Sequence, residues 1–313
     1  MKNKPVWLSV IIPVFNDGIL AIEAVNAILE NSPGSLVAGV EILCVEGGST
    51  DDSRELIQAF AITRKQVRLI KSPVKAVSPK FNLGGQKAKG HWLAFTESDC
   101  IPQKGWLSSI KKTIDDNRLR ACSGRVRAYS DDPNLQLSIR DYKDRKVNRP
   151  TFWNKVVPFY HGQGNNFFIE RELFLRMGGV NELLGAGALG RSGQDAELNF
   201  RLFSQNISIG YEPDALVIHY PRETRETFLN KKKNYSFAST WYRVVLHPSR
   251  PESWCEIILR FLYPPAQIVL SLIALRFNKS EQHWHEWMGF WEGFFSGKKY
   301  AVNRVNRDDM SDT

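Results

Sequence analysis

Short apolar runs rich in β-branched residues alternate with helix-like stretches from Leu8 to Ala128, and this alternation constrains the fold more than any other feature. Leu8 to Val14 reads as a strand buried on both faces, closed by Pro13 and the turn formers Asn16-Asp17-Gly18. A helix follows over Ile19 to Glu30, then a strand over Val40 to Val45. A Gly47-Gly48-Ser49-Thr50 turn leads into a helix over Asp52 to Phe60 and a strand over Val67 to Ile70. The pattern continues with a short helix at Asn82 to Ala88, a strand at Trp92 to Phe95, a helix at Trp106 to Asp115 and a strand near Ala121 to Ala128. The predicted fold class is α/β, a Rossmann-like, mostly parallel central sheet flanked by helices.

Beyond Tyr129 the rhythm weakens. Ser130 to Arg149 is polar and suits either a helix over the sheet or a mobile insertion. A strand is then expected at Asn166 to Ile169, a helix at Arg171 to Met177, a glycine-rich lid candidate at Gly185 to Gly193, and an amphipathic helix at Asp195 to Phe203. The composition changes near residue 222, dividing the chain into a catalytic-type domain over 1–222 and a helical, membrane-interface region over 223–313. Within the latter, Ile257 to Phe277 is apolar, but Arg260 and Pro264-Pro265 interrupt it, leaving less than the ~20 residues a spanning helix needs. Trp284, Trp287, Trp291 and Phe294 recur at helical spacing ahead of Lys298 and Lys299, which suits a core face or a helix lying in a membrane interface.

The 42 Lys and Arg against 33 Asp and Glu give a net charge of +9, which favours a polyanionic partner: nucleic acid, anionic lipid or a phosphorylated substrate. The basic residues are scattered and match no nucleic-acid module, so nucleic acid is the weakest of these. Lys2 and Lys4 precede an apolar run too short for a signal peptide, and it leads into Phe15-Asn16-Asp17 with no small-residue cleavage site. Four dispersed cysteines, Cys44, Cys100, Cys122 and Cys255, point to a reducing, cytoplasmic compartment.

Parallel α/β sheets bind ligands outside the carboxyl ends of their strands. Those positions hold Pro13 to Asn16 after the first strand, Glu46 and the turn to Asp52 after the second, and Glu97-Ser98-Asp99 after the fourth. Two carboxylates two positions apart can offer oxygens to one hard divalent ion, Mg²⁺ or Mn²⁺, which fills the rest of its shell with water and phosphate. A diphosphate substrate follows. The competing reading is a solvated turn in which Asp99 caps the next helix.

Four ordered motifs decide between them: Ser9 to Asn16, Val45 to Ser53, Asn82-Leu83-Gly84-Gly85 through Gly90, and Phe95 to Pro102. Together they closely resemble the family-2 glycosyltransferases of GT-A fold, over Leu8 to about His219. The resemblance implies that Phe15, Asn16 and Glu46 line the nucleotide pocket, with Pro13, Asn82 and Ser98 also on the donor side. It implies that Glu97 and Asp99 are the metal- and diphosphate-holding element, and that His219 is a late histidine able to approach the metal. Asn165 and Asn166 correspond to the acceptor-side strand, and Gly193-Gln194-Asp195 to the motif whose Asp is the general base. Glu46 and Glu97 stand where the family usually has Asp, and Gln194 where it usually has Glu. Losing a carboxylate beside Asp195 predicts a lower pKa for it.

The implied enzyme is a metal-dependent, inverting hexosyltransferase. It would move a sugar from a nucleotide-diphospho-sugar to a sugar or lipid-linked acceptor, in cell-surface polysaccharide or glycolipid synthesis. The processive members' Gln-x-x-Arg-Trp motif is missing, which favours single-sugar transfer. Peripheral attachment to the cytoplasmic face of a membrane is expected from the C-terminal region. Two rivals stand beside this reading. One is a degenerate nucleotide-sugar-binding membrane protein, motivated by the three substitutions. The other is a nucleotidyltransferase, which would need a glycine-rich phosphate loop where Pro13-Val14-Phe15-Asn16 stands.

Overall fold

The computed structural model describes residues 5–31, 33–129, 142–158, 164–221 and 224–311. They fall into two compact units. The first comprises 1–154, 158–182 and 194–222, and the second 155–157, 183–193 and 223–313.

Among the described residues, the first unit is a mixed nine-stranded sheet between layers of helices. Its strands are β1 (Leu8–Val14), β2 (Val40–Glu46), β3 (Val67–Lys71), β4 (Trp92–Thr96), β5 (Cys100–Pro102), β6 (Ala121–Ala128), β7 (Lys146–Asn148), β8 (Asn166–Glu170) and β9 (Ile209–His219). They run in the order β3-β2-β1-β4-β8-β6-β9-β5, with β7 on β9. From β3 to β4 the pairing is parallel, as the alternation requires; antiparallel pairing enters at β8, which runs against both β4 and β6. Its helices are α1 (Gly18–Glu30), α2 (Gly34–Val37), α3 (Ser53–Thr63), α4 (Val77–Lys87), α5 (Trp106–Asn117), α6 (Phe152–Val156, shared with the second unit), α7 (Arg171–Arg176) and α8 (Gln194–Ser204).

The period of two along β1 builds both faces of the core. Val10, Ile12 and Val14 join Ala24, Val25 and Ile28 of α1 and Trp106 and Ile110 of α5. Ile11, between them in sequence, joins Phe81 of α4, Phe174 of α7 and Leu202 of α8 on the opposite face. Each fully buried Val, Ile, Leu or Phe side chain among these contributes roughly 1.5–3 kcal/mol.

The strand order reverses at β1, since β2 and β3 lie to one side and β4 to the other. The β1–β4 register ends at Ile11↔Phe95, before Pro13, which has no N–H to give a ladder. A crevice is expected at such a switch point, outside the strand ends. Part of the polar stretch after Tyr129 lies outside the described residues; Lys146–Asn148 is a strand rather than helix. There Arg145 clamps the buried Glu212 of β9 through Nε at 2.6 Å and a second nitrogen at 2.7 Å, and Thr113 donates to the same carboxylate.

The second unit is built on α9 (Arg225–Val245), α10 (Pro251–Ile273) and α11 (Phe277–Ser311). Helices α9 and α11 approach closely through glycine, because a Cβ on Gly289 would strike the Lys233 carbonyl and one on Gly293 the Phe237 carbonyl. The segment expected as a lid is pinned within this unit. The Arg191 guanidinium lies 3.9 Å from the Phe237 ring centroid and bonds Glu292 at 3.1 Å.

Helix α10 corrects the sequence reading: it continues through Pro264 and Pro265, although each deprives a carbonyl one turn earlier of its donor. The result is one 23-residue helix long and apolar enough, by length and composition, to cross a membrane. Ile258, Leu262, Val269, Leu270 and Ile273 are exposed on it. The tryptophan stripe divides: Trp291 packs 5.6 Å from Phe261 of α10, while Trp284 is exposed.

Candidate active site

Strand register assembles the site. β5 runs antiparallel to β9 with Cys100 opposite His219, so the turn after β4 meets the end of β9. The His219 Nε2 lies 3.3 Å from Asp99 Oδ2, and one ligand atom each from Glu97, Asp99, Cys100 and His219 fall within 4.8 Å of one another. Burial, reinforced by the charges of Glu97 and Asp99, pushes the Cys100 thiol far up, and its soft sulfur suits a hard ion poorly. Two carboxylates and an imidazole remain, a donor set that fits Mn²⁺ or Mg²⁺. Ser98 does not join them; its hydroxyl donates to Asp17 Oδ2 at 3.2 Å, steadying the turn from the start of α1.

At the ends of β1 and β2 the two loops are stitched together. The Asn16 N–H donates to Ser49 Oγ at 3.0 Å, and the Thr50 N–H to Asn16 Oδ1 at 2.8 Å. Asn16 takes a left-handed φ of 55°, tolerable for Asn, and leaves Phe15 40% exposed at the rim. The Glu46 carboxylate is wholly buried, accepting from the Ser49 N–H at 3.0 Å and from Arg54 Nε at 2.6 Å. Burial alone would raise its pKa, but Arg54 and Ser49 hold it below the usual carboxylate range. Glu46 thus shapes the turn after β2 from within, and Arg54, which sequence reasoning missed, is its partner.

Lys80 was also missed. It is fully buried, its Nζ donates to the Val14 carbonyl at 2.7 Å, and it lies 5.7 Å from the Phe15 ring centroid. Burial pulls its pKa down to about 8. Nothing in a single sequence separates such a lysine from those on helix surfaces.

Asp195 reaches the same edge through β8. Asn166 pairs with Thr96, so Gly164 and Asn165 stand beside the Glu97 turn, and the Gly164 N–H donates to Asp195 Oδ2 at 3.0 Å. The Ala196 N–H donates to Oδ1 at 2.8 Å. Contrary to the sequence expectation, the Asp195 pKa is raised: burial disfavours the carboxylate by more than these N–H groups favour it. An apolar hollow lined by Phe81, Phe95, Phe167 and Leu198 adjoins Asp195 and Gln194.

The two asparagines separate. Asn166 is buried, accepting from Trp106 Nε1 and donating to the Arg125 and Ala215 carbonyls, each at 2.9 Å, so its amide is engaged in fastening the sheet. Asn165 has its Oδ1 buried with no hydrogen-bond partner among the described residues. Asn82 likewise spends its amide within the protein, on the Val180 main chain and Glu182 Oε1, all at 2.9 Å.

Comparison with known proteins agrees with this geometry. The profile described as glycosyl transferase family 2 matches residues 9–175, more than half of the 313. The chain belongs to glycosyl transferase family 2. Among curated members, glycosyltransferase GlyG of Streptococcus pneumoniae is 26% identical over 125 residues, 40% of this chain and 40% of its own. Glycosyltransferase AglE of Haloferax volcanii is 30% identical over 128 residues, 40% of this chain and 41% of its own. The match therefore spans about two fifths of these relatives. The mannosyltransferase PcManGT from Pyrobaculum calidifontis, solved with GDP-Man and Mn²⁺, has a TM-score of 0.61 at 16% identity, covering 94% of this chain and 86% of its own. TarS 1–349 of S. aureus, solved with UDP-GlcNAc, has a TM-score of 0.56 at 13% identity, covering 92% of each chain. These structural likenesses establish the GT-A fold.

Proposed function

We propose that the protein transfers a single hexosyl unit from a nucleoside-diphospho-sugar to an acceptor hydroxyl, with inversion at the anomeric carbon. The observation that carries this reading is the convergence of Asp195, through Gly164 and the Thr96↔Asn166 register, on the strand end bearing Glu97 and Asp99. Asp195 accepts the acceptor's proton as its oxygen attacks, the bond from anomeric carbon to phosphate oxygen breaks, and the nucleoside diphosphate leaves. Phe15, Asn16 and the turn that Glu46 holds receive the nucleotide, with Pro13 behind them. The unpartnered Asn165 oxygen suits an acceptor hydroxyl. Glu97, Asp99 and His219 would hold the divalent ion, which as a Lewis acid offsets charge on the departing diphosphate. Structural relatives solved with GDP-Man and Mn²⁺ or with UDP-GlcNAc support this donor class.

Release of UDP or GDP from a panel of nucleotide sugars with Mn²⁺ tests the reading. Release is expected to stop with excess chelator and to fall sharply in Asp99→Ala. Glu97→Asp is expected to keep most activity and Glu97→Ala to lose it, because the charge matters more than one methylene. Equal activity in wild type and both Glu97 variants would reduce Glu97 to a turn residue. No release from any donor would favour the degenerate binding protein.

The second unit attaches peripherally to the cytoplasmic face of a membrane, where a lipid-linked acceptor is presented. The exposed apolar side chains of α10, with Trp284, Lys298 and Lys299 exposed on α11, support this. Each Lys or Arg near an anionic surface contributes about 1 kcal/mol, screened by salt. The protein is expected to float with anionic liposomes at low salt, less so at high salt, and to be released by alkaline carbonate. Remaining soluble at both salt levels would contradict attachment, and resistance to carbonate would mean a spanning helix.

A further inference from the structure

We propose that Tyr129 and Tyr220 form a stacking platform for a pyranose ring of the acceptor; this rests on the transferase reading above. The two residues directly follow β6 and β9, which run parallel and end together at Ala128↔His219. Main-chain bonds tie both to the acidic cluster: the Tyr129 N–H donates to the His219 carbonyl at 2.8 Å, and the Tyr220 N–H to the Asp99 carbonyl at 2.9 Å. Their ring centroids are 5.4 Å apart with planes inclined by 46°. They are 55% and 42% exposed, whereas Phe95, Phe167 and Phe168 inside the sheet are at 3% or less.

Leaving two large rings side by side in water forgoes the stabilisation their burial would bring, which marks a face with something to bind. A pyranose offers a matching surface. Its axial C–H bonds form an apolar, weakly positive face that fits the negative face of an aromatic ring, while its hydroxyls remain wet at the edge. Tyrosine supplies that area with little rotamer entropy to lose. Sheet order sets the rings apart from the nucleoside: its edge lies at β1 and β2, with β4 and β8 between it and the ends of β6 and β9, and the acidic cluster that would hold the diphosphate lies at the rings. On that side of the diphosphate the rings are given to the acceptor's pyranose, with the donor's own sugar as the outcome that would refute the assignment.

Saturation-transfer NMR on the full chain tests this without the native acceptor. The probes are the methyl glycosides of β-glucose, α-mannose and N-acetyl-β-glucosamine. At least one is expected to receive saturation at its ring C–H protons. Tyr129→Ser with Tyr220→Ser should weaken its binding about tenfold, and the paired Phe variant should retain it, since stacking uses the ring and not the hydroxyl. Affinities for UDP and UDP-GlcNAc with Mn²⁺, measured in parallel, should be unchanged in both variants. The platform is refuted if no glycoside is saturated, if the Ser pair binds as wild type does, or if the Phe pair loses binding. A selective loss of UDP-GlcNAc over UDP would place the donor's sugar on the rings and equally refute it. Failure of wild type to bind any nucleotide would sink the transferase reading, while the glycoside arm still reads the platform.

Discussion

Asp195→Asn is expected to lower sugar transfer by about 10²–10⁴-fold, the range general-base assistance supplies, while affinity for nucleoside diphosphate with Mn²⁺ stays unchanged. The amide is nearly isosteric and can still accept the Gly164 N–H that orients the native side chain. Only basicity toward the acceptor is lost. The pH profile gives a second reading. A base works when ionised, so kcat/KM should rise with pH as Asp195 deprotonates. Because burial raises its pKa, that limb should lie above the ordinary aspartate range and be absent from the variant. Wild-type turnover in Asp195→Asn, or a limb that persists in the variant, would remove Asp195 from the role.

The second large effect concerns stability. Arg243 is fully buried on α9, its Nε bonding Glu256 Oε2 at 2.6 Å and its terminal nitrogen reaching the carbonyls of Lys155 at 2.6 Å and Val156 at 3.2 Å. Burial would raise the Glu256 pKa, but Arg243 and Arg260 together hold it below the usual range. Arg243→Met should therefore cost about 3–5 kcal/mol in denaturant titration, because it strands a buried carboxylate and two carbonyls. Arg260, still 2.8 Å from Glu256 Oε1, keeps the loss toward the lower figure. Adding Glu256→Gln should recover part of it. A change under about 1 kcal/mol would show that water reaches the network.

Where the chain speaks locally, sequence and structure agree. The β-branched run of β1 and the acidic turn after β4 are read from neighbouring residues alone, and helix α8 shows its amphipathic period. Three-residue strands such as β5 and β7 are too short to show a period, yet β5 is what brings His219 against Asp99. The engagements of Asn82, Asn166 and Lys80 span 98, 60 and 66 residues, separations at which one sequence carries no pairing signal. Asp195 shows the same limit in electrostatics. Removing a neighbouring carboxylate argues for a lower pKa, but burial, a property of the fold, is the larger influence. In α10 the prolines read as breaks because propensity is local, whereas the helix runs through them.

The central claim, inverting transfer at Asp195, is tested most directly with water as the acceptor. An α-linked nucleotide sugar that the protein turns over is incubated with Mn²⁺, and the first-formed free sugar is followed by proton NMR before it mutarotates. Direct displacement at the anomeric carbon predicts the β anomer first, and its formation should be lost in Asp195→Asn. The α anomer appearing first would mean retention, and would contradict a mechanism in which one base-assisted attack expels the nucleoside diphosphate.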